Sequence, residues 1–257
     1  MKGASDLQRS ADAEATLRLF LDRHLPLKRI LKRLLTPDVA SQRVFIERHL
    51  HQFADRTRGQ RVLDVGCGRG QYRAYFNEHR YESCDREDGF FADDGADFTA
   101  NIMKAIPRPA ASYDAALLTE VLEHVPCPVT ALRNVARILR PRGLLFISVP
   151  QAAGDHEQPE HYFNFTQWGL EFVLKQAEFE IVDHFRLDGM GKYVGNRIAK
   201  FGMILYAQMS GISRVVIGIP LRATLMWLGV FATQFDRFDH TRNYVVGHVM
   251  IAIRRRS

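Results

Sequence analysis

The chain has 257 residues, 46% apolar and 25% charged, which suits one large globular domain or one domain with appendages. Three cysteines (Cys67, Cys84, Cys127) make no even framework, so they read as reduced thiols in a cytoplasmic setting, and the opening MKGASDLQRS lacks the apolar core of an export signal. The net charge of +6 divides into +5 over residues 1–60, −6 over 61–196 and +7 over 197–257, an acidic middle between basic ends.

Residues 11–35 read as helix on the apolar positions Leu17, Phe20, Leu21, Leu25, Ile30, Leu31, Leu34 and Leu35, broken at Pro26. The piece LKRILKRLL is short, basic and amphipathic, a pattern of membrane-surface helices and equally of helices lying on a core with their lysines in water. A further helix from about Asp38 to Ala54 sets Val44, Phe45, His49, Leu50 and Phe53 on one side. Together they predict a helical cap over residues 1–58, near the mouth of any site in the domain that follows.

Arg61–Tyr72, RVLDVGCGRGQY, predicts a buried strand, a glycine turn and the start of a helix. Gly66, Gly68 and Gly70 let the backbone approach a ligand without Cβ clashes. Asp64, at the strand end, can accept from a cationic amine or from the loop amides. The G-x-G-x-x-G frame of dinucleotide sites fails, because Gln71 stands where its last glycine belongs. Asp85 lies 21 residues beyond Asp64 at the end of a second strand, where a carboxylate can chelate vicinal ribose hydroxyls.

Ala115–Leu118 predicts the fourth strand, 131–140 a helix stopped by Pro141, Arg142 and Gly143, and Leu144–Val149 the fifth strand. Phe179–His184 and Val245–Arg254 predict a sixth and an antiparallel seventh. Strands alternate with helices, so the fold class is α/β with a doubly wound, mostly parallel sheet and ligands at the carboxyl ends of the strands. Residues 190–243 interrupt the last pair. Their charge-free runs, 201–213 and 223–235, are 13 residues each, short of the about 20 that span a bilayer, and Gly211 and Pro220 divide them into two or three helices.

The glycine loop, Asp85, LLTEVLEHV, RILRPRGLLFISVP and HYFNFTQWGLEFVLKQAEFEIV, in that order over residues 60–187, resemble the type 11-like branch of the class I S-adenosylmethionine-dependent methyltransferases. The resemblance implies a Rossmann-like seven-stranded domain over 59–257 with S-adenosylmethionine as cofactor and S-adenosylhomocysteine as product. It implies a cofactor site from Asp64, Gly66, Cys67, Gly68, Gly70, Asp85, Asp97, Asn101, Ile102 and Glu120. Asp97 matches one acidic position of the adenine loop and Asn101 stands at the other. Candidates for handling the acceptor are His161 first, then His124, with His156 beside them. Glu120, Glu123 and His124 form the E-x-x-E-H that holds a divalent ion in some relatives, although no metal is expected here. The implied reaction is O-methylation of a small-molecule, sugar or lipid-linked glycan acceptor. The alternative is an inactive binding or scaffold protein of the same fold. The basic ends suit an anionic membrane surface, with the protein cytoplasmic or peripheral at the inner face of the membrane, and no interleaved aromatic and basic pattern points to nucleic acid. The 190–243 insertion is left with three fates: a lid, a homodimer interface, or a dip into a membrane.

Overall fold

The computed structural model of the chain describes residues 42–89 and 95–255. The expected helix over 11–35, with LKRILKRLL, lies outside them.

Two strands start the sheet, β1 (Arg61–Val65) and β2 (Arg80–Asp85), paired in parallel. Residues 62–65 are all buried, as a central parallel strand covered on both faces requires. β3 (Phe98–Thr99) extends the edge beside β2. On the other side of β1 lie β4 (Tyr113–Thr119), parallel to β1, and β5 (Leu139–Pro150), parallel to β4. β6 (Phe179–Leu187) and β7 (Gly247–Arg254) complete the order β3-β2-β1-β4-β5-β7-β6, with β7 antiparallel to both β5 and β6. The expected seven-stranded, doubly wound sheet is therefore the one observed. The chain leaves β1 toward β2 and later returns on its other side at β4, which opens a crevice at the carboxyl ends of β1 and β4.

Alternation along the strands feeds two cores. Leu63, Ala116 and Leu118 face α2 (Pro128–Ile138) and α3 (Gln167–Gln176), whose Leu132, Val135, Leu170 and Leu174 are buried. Val62, Ala115 and Leu117 face the opposite way, onto Ile46, Leu50 and Phe53 of α1 (Gln42–Arg56). The expected cap boundary at 58 thus falls after a helix that helps form the sheet's own core. Val44, expected on the inner side of α1, is 58% exposed. The buried side runs through 46, 50 and 53, and position 44 sits about 200° from 46 at the helical turn angle.

Two local expectations are corrected. No α-helix follows the glycine loop. Gly66, Gly68 and Gly70 all have positive φ (72°, 52° and 64°), and the turn gives way to a four-residue 3-10 helix, Arg73–Phe76. Pro141-Arg142-Gly143 does not stop a helix but lies inside β5, where Arg142 takes φ 67° and the register with β4 shifts.

Val194–Arg237 belongs to a second compact unit. α4 (Met190–Gln208) leads into it, and a helical run then extends over Gly211–Phe238. The run contains a π turn (Arg214–Gly218) followed by α5 (Ile219–Thr233). Pro220 does not divide it, because the proline occupies the first turn of α5, where its missing N–H costs least. At 28 residues the run is long and apolar enough, by length and composition, to cross a membrane. That corrects the argument from charge-free runs, which Arg214 and Arg222 interrupt without ending the helix.

Candidate active site

At the crevice beside β1 and β4 lies a cavity of about 460 Å³, within the usual range for small-molecule sites. Its floor is the glycine loop. The amides of Gly66 and Cys67 donate to the Cys84 carbonyl at 2.8 and 3.1 Å, which ties the turn to the end of β2. The Gly68 amide donates to Asp85 Oδ2 and the Arg86 amide to Oδ1, both at 2.7 Å. Asp85 is thereby fixed in orientation at the cavity wall with lone pairs left for a ligand. Gly66, Cys67, Gly68, Asp85, Asn101, Ile102 and Glu120, all singled out in the sequence, line the same cavity. Gly70, one step further along the turn, does not line it.

Two expected carboxylates lie elsewhere. Asp97 is outside the cavity wall, where its Oδ2 accepts from the Ser83 amide at 2.8 Å, from Ser83 Oγ at 2.9 Å and from Arg73 at 2.7 Å. Those bonds hold its carboxyl below the usual range despite partial burial. They make it a tie between strand and loop, which corrects its placement in the adenine site. Asp64 is fully buried beneath the loop and does not bond the loop amides. Its Oδ2 accepts from the Tyr81 hydroxyl at 2.6 Å, and Oδ1 has no hydrogen-bond partner. Burial pushes this carboxyl up to about 6, with the Tyr81 bond opposing the rise.

The opposite wall comes from the end of β4. Glu120 takes φ 55°, and its side chain accepts from Ser148 Oγ at 2.9 Å. Desolvation pushes its carboxyl up to about 7. A 3-10 turn, Leu122–His124, follows. Glu123 points away from solvent, and neither of its oxygens has a hydrogen-bond partner. Burial, then the Glu120 charge, drives its carboxyl well above the ordinary range.

All three expected histidines are brought together, but only one faces the cavity. His124 lines it. Its Nδ1 bonds the Glu160 carbonyl at 2.9 Å, which fixes Nδ1 as the protonated nitrogen and leaves Nε2 as an acceptor. Burial lowers its pKa, so the ring is neutral near pH 7. His156 and His161 pack behind it, with ring centroids 4.8 and 5.7 Å from that of His124. His161, the first choice from sequence, has its side chain 3% exposed and lies outside the cavity wall. The ligating atoms of Glu123, His124 and His156 lie within 4.8 Å of one another, a donor set that a divalent ion accepts. This differs from the Glu120–Glu123–His124 set of the E-x-x-E-H motif, because Glu120 turns to Ser148.

Several lining residues had been passed over. Arg86 grips Glu160 through both terminal guanidinium nitrogens, at 2.8 and 3.2 Å. The amides of Tyr162 and Phe163 donate to the Glu123 carbonyl. These bonds draw the loop after β5 over the cavity and bring Glu157, Glu160 and Tyr162 into its wall. The available signals were the adjacency of Arg86 to Asp85 and the position of Glu160 in EHYFNFT.

The donor set suits an adenosyl sulfonium. Asp85 has lone pairs that can accept from ribose hydroxyls, Ile102 and Met103 give an apolar wall that can cover a ring, and Glu120 is an acceptor that can meet an ammonium group. Comparison with known proteins agrees. A family model described as a methyltransferase domain matches residues 28–188. A probable S-adenosylmethionine-dependent methyltransferase of Mycolicibacterium smegmatis is 26% identical over 80% of this chain and 84% of its own length. The ubiquinone biosynthesis O-methyltransferase of Aeromonas salmonicida is 26% identical over 59% of this chain and 69% of its own. The Burkholderia thailandensis 1,6-didemethyltoxoflavin-N1-methyltransferase, solved with S-adenosylhomocysteine, shares the fold at a TM-score of 0.50 and 20% identity over 96% of this chain and 90% of that one. The matched domain, the strand order and the site together place this chain among the class I S-adenosylmethionine-dependent methyltransferases, enzymes that take their methyl group from that cofactor.

Proposed function

We propose that the enzyme methylates a hydroxyl oxygen of a small molecule, a sugar or a lipid-linked glycan, with His124 accepting the hydroxyl proton. The observation that carries this reading is the His124 ring on the cavity wall, held neutral by burial and tied at Nδ1 so that Nε2 remains the acceptor. A hydroxyl needs such a group, since its proton must leave as the new C–O bond forms. Bound S-adenosylmethionine supplies the electrophilic methyl. Asp85 would hold the ribose hydroxyls and Glu120 the amino-acid end. Ile102 and Met103 would flank adenine, with Asn101 beside them, its Oδ1 already accepting from the Met103 amide at 2.9 Å. The Arg86–Glu160 pair keeps the covering loop, and with it the His124 tautomer, in place. The O-methyltransferase names carried by several relatives support the oxygen acceptor. The free thiols Cys67, Cys84 and Cys127 support residence in a reducing, cytoplasmic compartment.

The test is S-adenosylhomocysteine release across a panel of hydroxyl acceptors, with wild type and His124→Gln. Glutamine retains polarity but cannot take the proton, so turnover should fall by about 10²–10³ while cofactor affinity stays. Because burial lowers the His124 pKa, the acid limb of the wild-type profile should lie below the ordinary histidine value of ~6.5 and disappear in the variant. Equal loss of turnover and cofactor affinity would make the histidine structural. Turnover lost to EDTA and restored by magnesium or manganese would assign His124 to a cation with Glu123 and His156 instead.

A further inference from the structure

α4 and the helical run Gly211–Phe238 pair as an antiparallel hairpin held by small residues. A Cβ added at Gly195 would lie 2.3 Å from the Gly229 carbonyl oxygen. Gly202 meets Leu225, and Gly218 meets Tyr206 and Met209, so contacts advance along one helix as they recede along the other. The helices approach closely, as glycine-lined pairs do. Among the described residues the buried apolar side chains of this unit are Ala199 and Met226, with Val230 partly covered.

The outer surface is the opposite. Ile212 is 82% exposed, Val216 64% and Phe231 62%, and Val215, Ile217 and Phe201 are more than half exposed. Val215, Val216 and Ile217 are consecutive within the π turn, so three neighbouring directions around the helix are apolar and exposed, and Ile212 and Phe231 extend that surface. A single flat protein partner covers one side of such a surface, whereas a fluid apolar medium covers it all round. The charge on the same unit names the medium. Residues 194–237 carry five basic side chains (Arg197, Lys200, Arg214, Arg222, Arg237) against one acidic, Asp236. The Arg214 and Arg222 guanidinium groups lie over the Tyr206 ring near the hairpin's turn, at 5.5 and 5.2 Å.

We infer that this hairpin is a membrane-docking element, its apolar surface sunk into the acyl boundary of an anionic leaflet and its basic side chains at the lipid phosphates. Both ends of the hairpin return to the methyltransferase unit, at Tyr193 and Phe238, so both lie on one side of the bilayer, and the charges of Arg214 and Arg222 near the turn oppose its crossing to the far leaflet. The inference goes beyond the catalytic reading and stands apart from it.

The test is flotation of the full-length protein with phosphatidylcholine vesicles, with and without phosphatidylglycerol. The protein should float with the anionic vesicles, float less with the neutral ones, and be partly released by salt. Ile212→Asp with Val216→Asp should abolish flotation without changing S-adenosylmethionine affinity. Arg214→Gln should weaken partitioning onto anionic vesicles about fivefold, the equivalent of ~1 kcal/mol for one basic side chain at a charged surface. Wild-type protein that stays unbound at low salt would overturn the inference, as would equal binding to both vesicle types. A concentration-dependent dimer dissolved by the Ile212 and Val216 changes would make a second copy the occupant. Loss of cofactor binding in the wild type would instead strike the methyltransferase reading alone.

Discussion

Asp64 is a carboxylate enclosed by protein, with one oxygen lacking a partner, and it carries a cost. Its folded pKa is raised from 3.8 to about 6. Between those values the native state holds a proton that the unfolded chain has released, so stability falls as pH rises through the window. At pH ~7 the penalty is present in full, roughly 2–3 kcal/mol. Asp64→Asn should therefore flatten that stretch of the stability profile and raise apo stability at neutral pH by up to ~2 kcal/mol in urea melts. If the charge is kept to offset a cationic ligand above it, the same change should weaken S-adenosylmethionine binding. A variant neither stabilised nor weakened in binding would reject this account. The residues around Asp64 show how far spacing reaches. Asp85 was legible because its distance from the glycine loop places it at a neighbouring strand end. Asp97 and His161 were misplaced because spacing sets an element's end, not the direction of a side chain. Asp97 turns to the Ser83 amide, and His161 turns behind His124.

For the elements, the glycine loop is set by one close contact. A Cβ on Gly66 would sit 2.5 Å from Val121 Cγ2, and the residue has φ 72°. Gly66→Ala should cost about 1–2 kcal/mol of stability from the left-handed backbone and the clash, and should weaken cofactor binding at least about tenfold. Adding Val121→Ala removes the clash and leaves the backbone term, so calorimetry should show affinity partly restored. No recovery in a folded double variant would mean that loop shape, not this contact, sets affinity. Element by element, the buried parallel strands were the most legible, because strands covered on both faces are continuous apolar runs. The connections were less so. A helix was expected after Gly70, but three left-handed glycines and the short distance to Arg80 leave room for one 3-10 turn only. Pro141-Arg142-Gly143 read as a helix stop, yet Gly143 lies so close to the Arg140 and Asp114 carbonyl oxygens (2.9 and 3.1 Å from an added Cβ) that it marks an irregular strand packed on its neighbour.

Over the whole molecule, the acidic stretch of the chain and the basic, apolar hairpin are separate segments. The acidic stretch, residues 61–196, carries the cavity with Asp85, Glu120, Glu157 and Glu160 in its wall, suited to a cationic ligand. The hairpin carries five of the nine basic residues of 197–257 and a large share of the exposed apolar side chains. The division of charge was legible from the sequence. The hairpin was not, because Arg214 and Arg222 cut the apolar runs while their side chains turn onto Tyr206 and leave the helix continuous. Hydrogen exchange on the full-length protein reads the two regions separately. S-adenosylmethionine should slow exchange at 66–71, 85–89, 100–103, 119–126 and 157–162, the segments that wall the cavity, and leave 201–217 unchanged. Anionic vesicles should do the reverse. A cofactor effect confined to the hairpin would separate the cavity from cofactor binding. Vesicle protection confined to 157–162 would move the lipid-facing surface from the hairpin to the loop over His124. Protection of both regions by either ligand alone would mean that the two are coupled, with membrane attachment and methyl transfer biasing one conformational equilibrium.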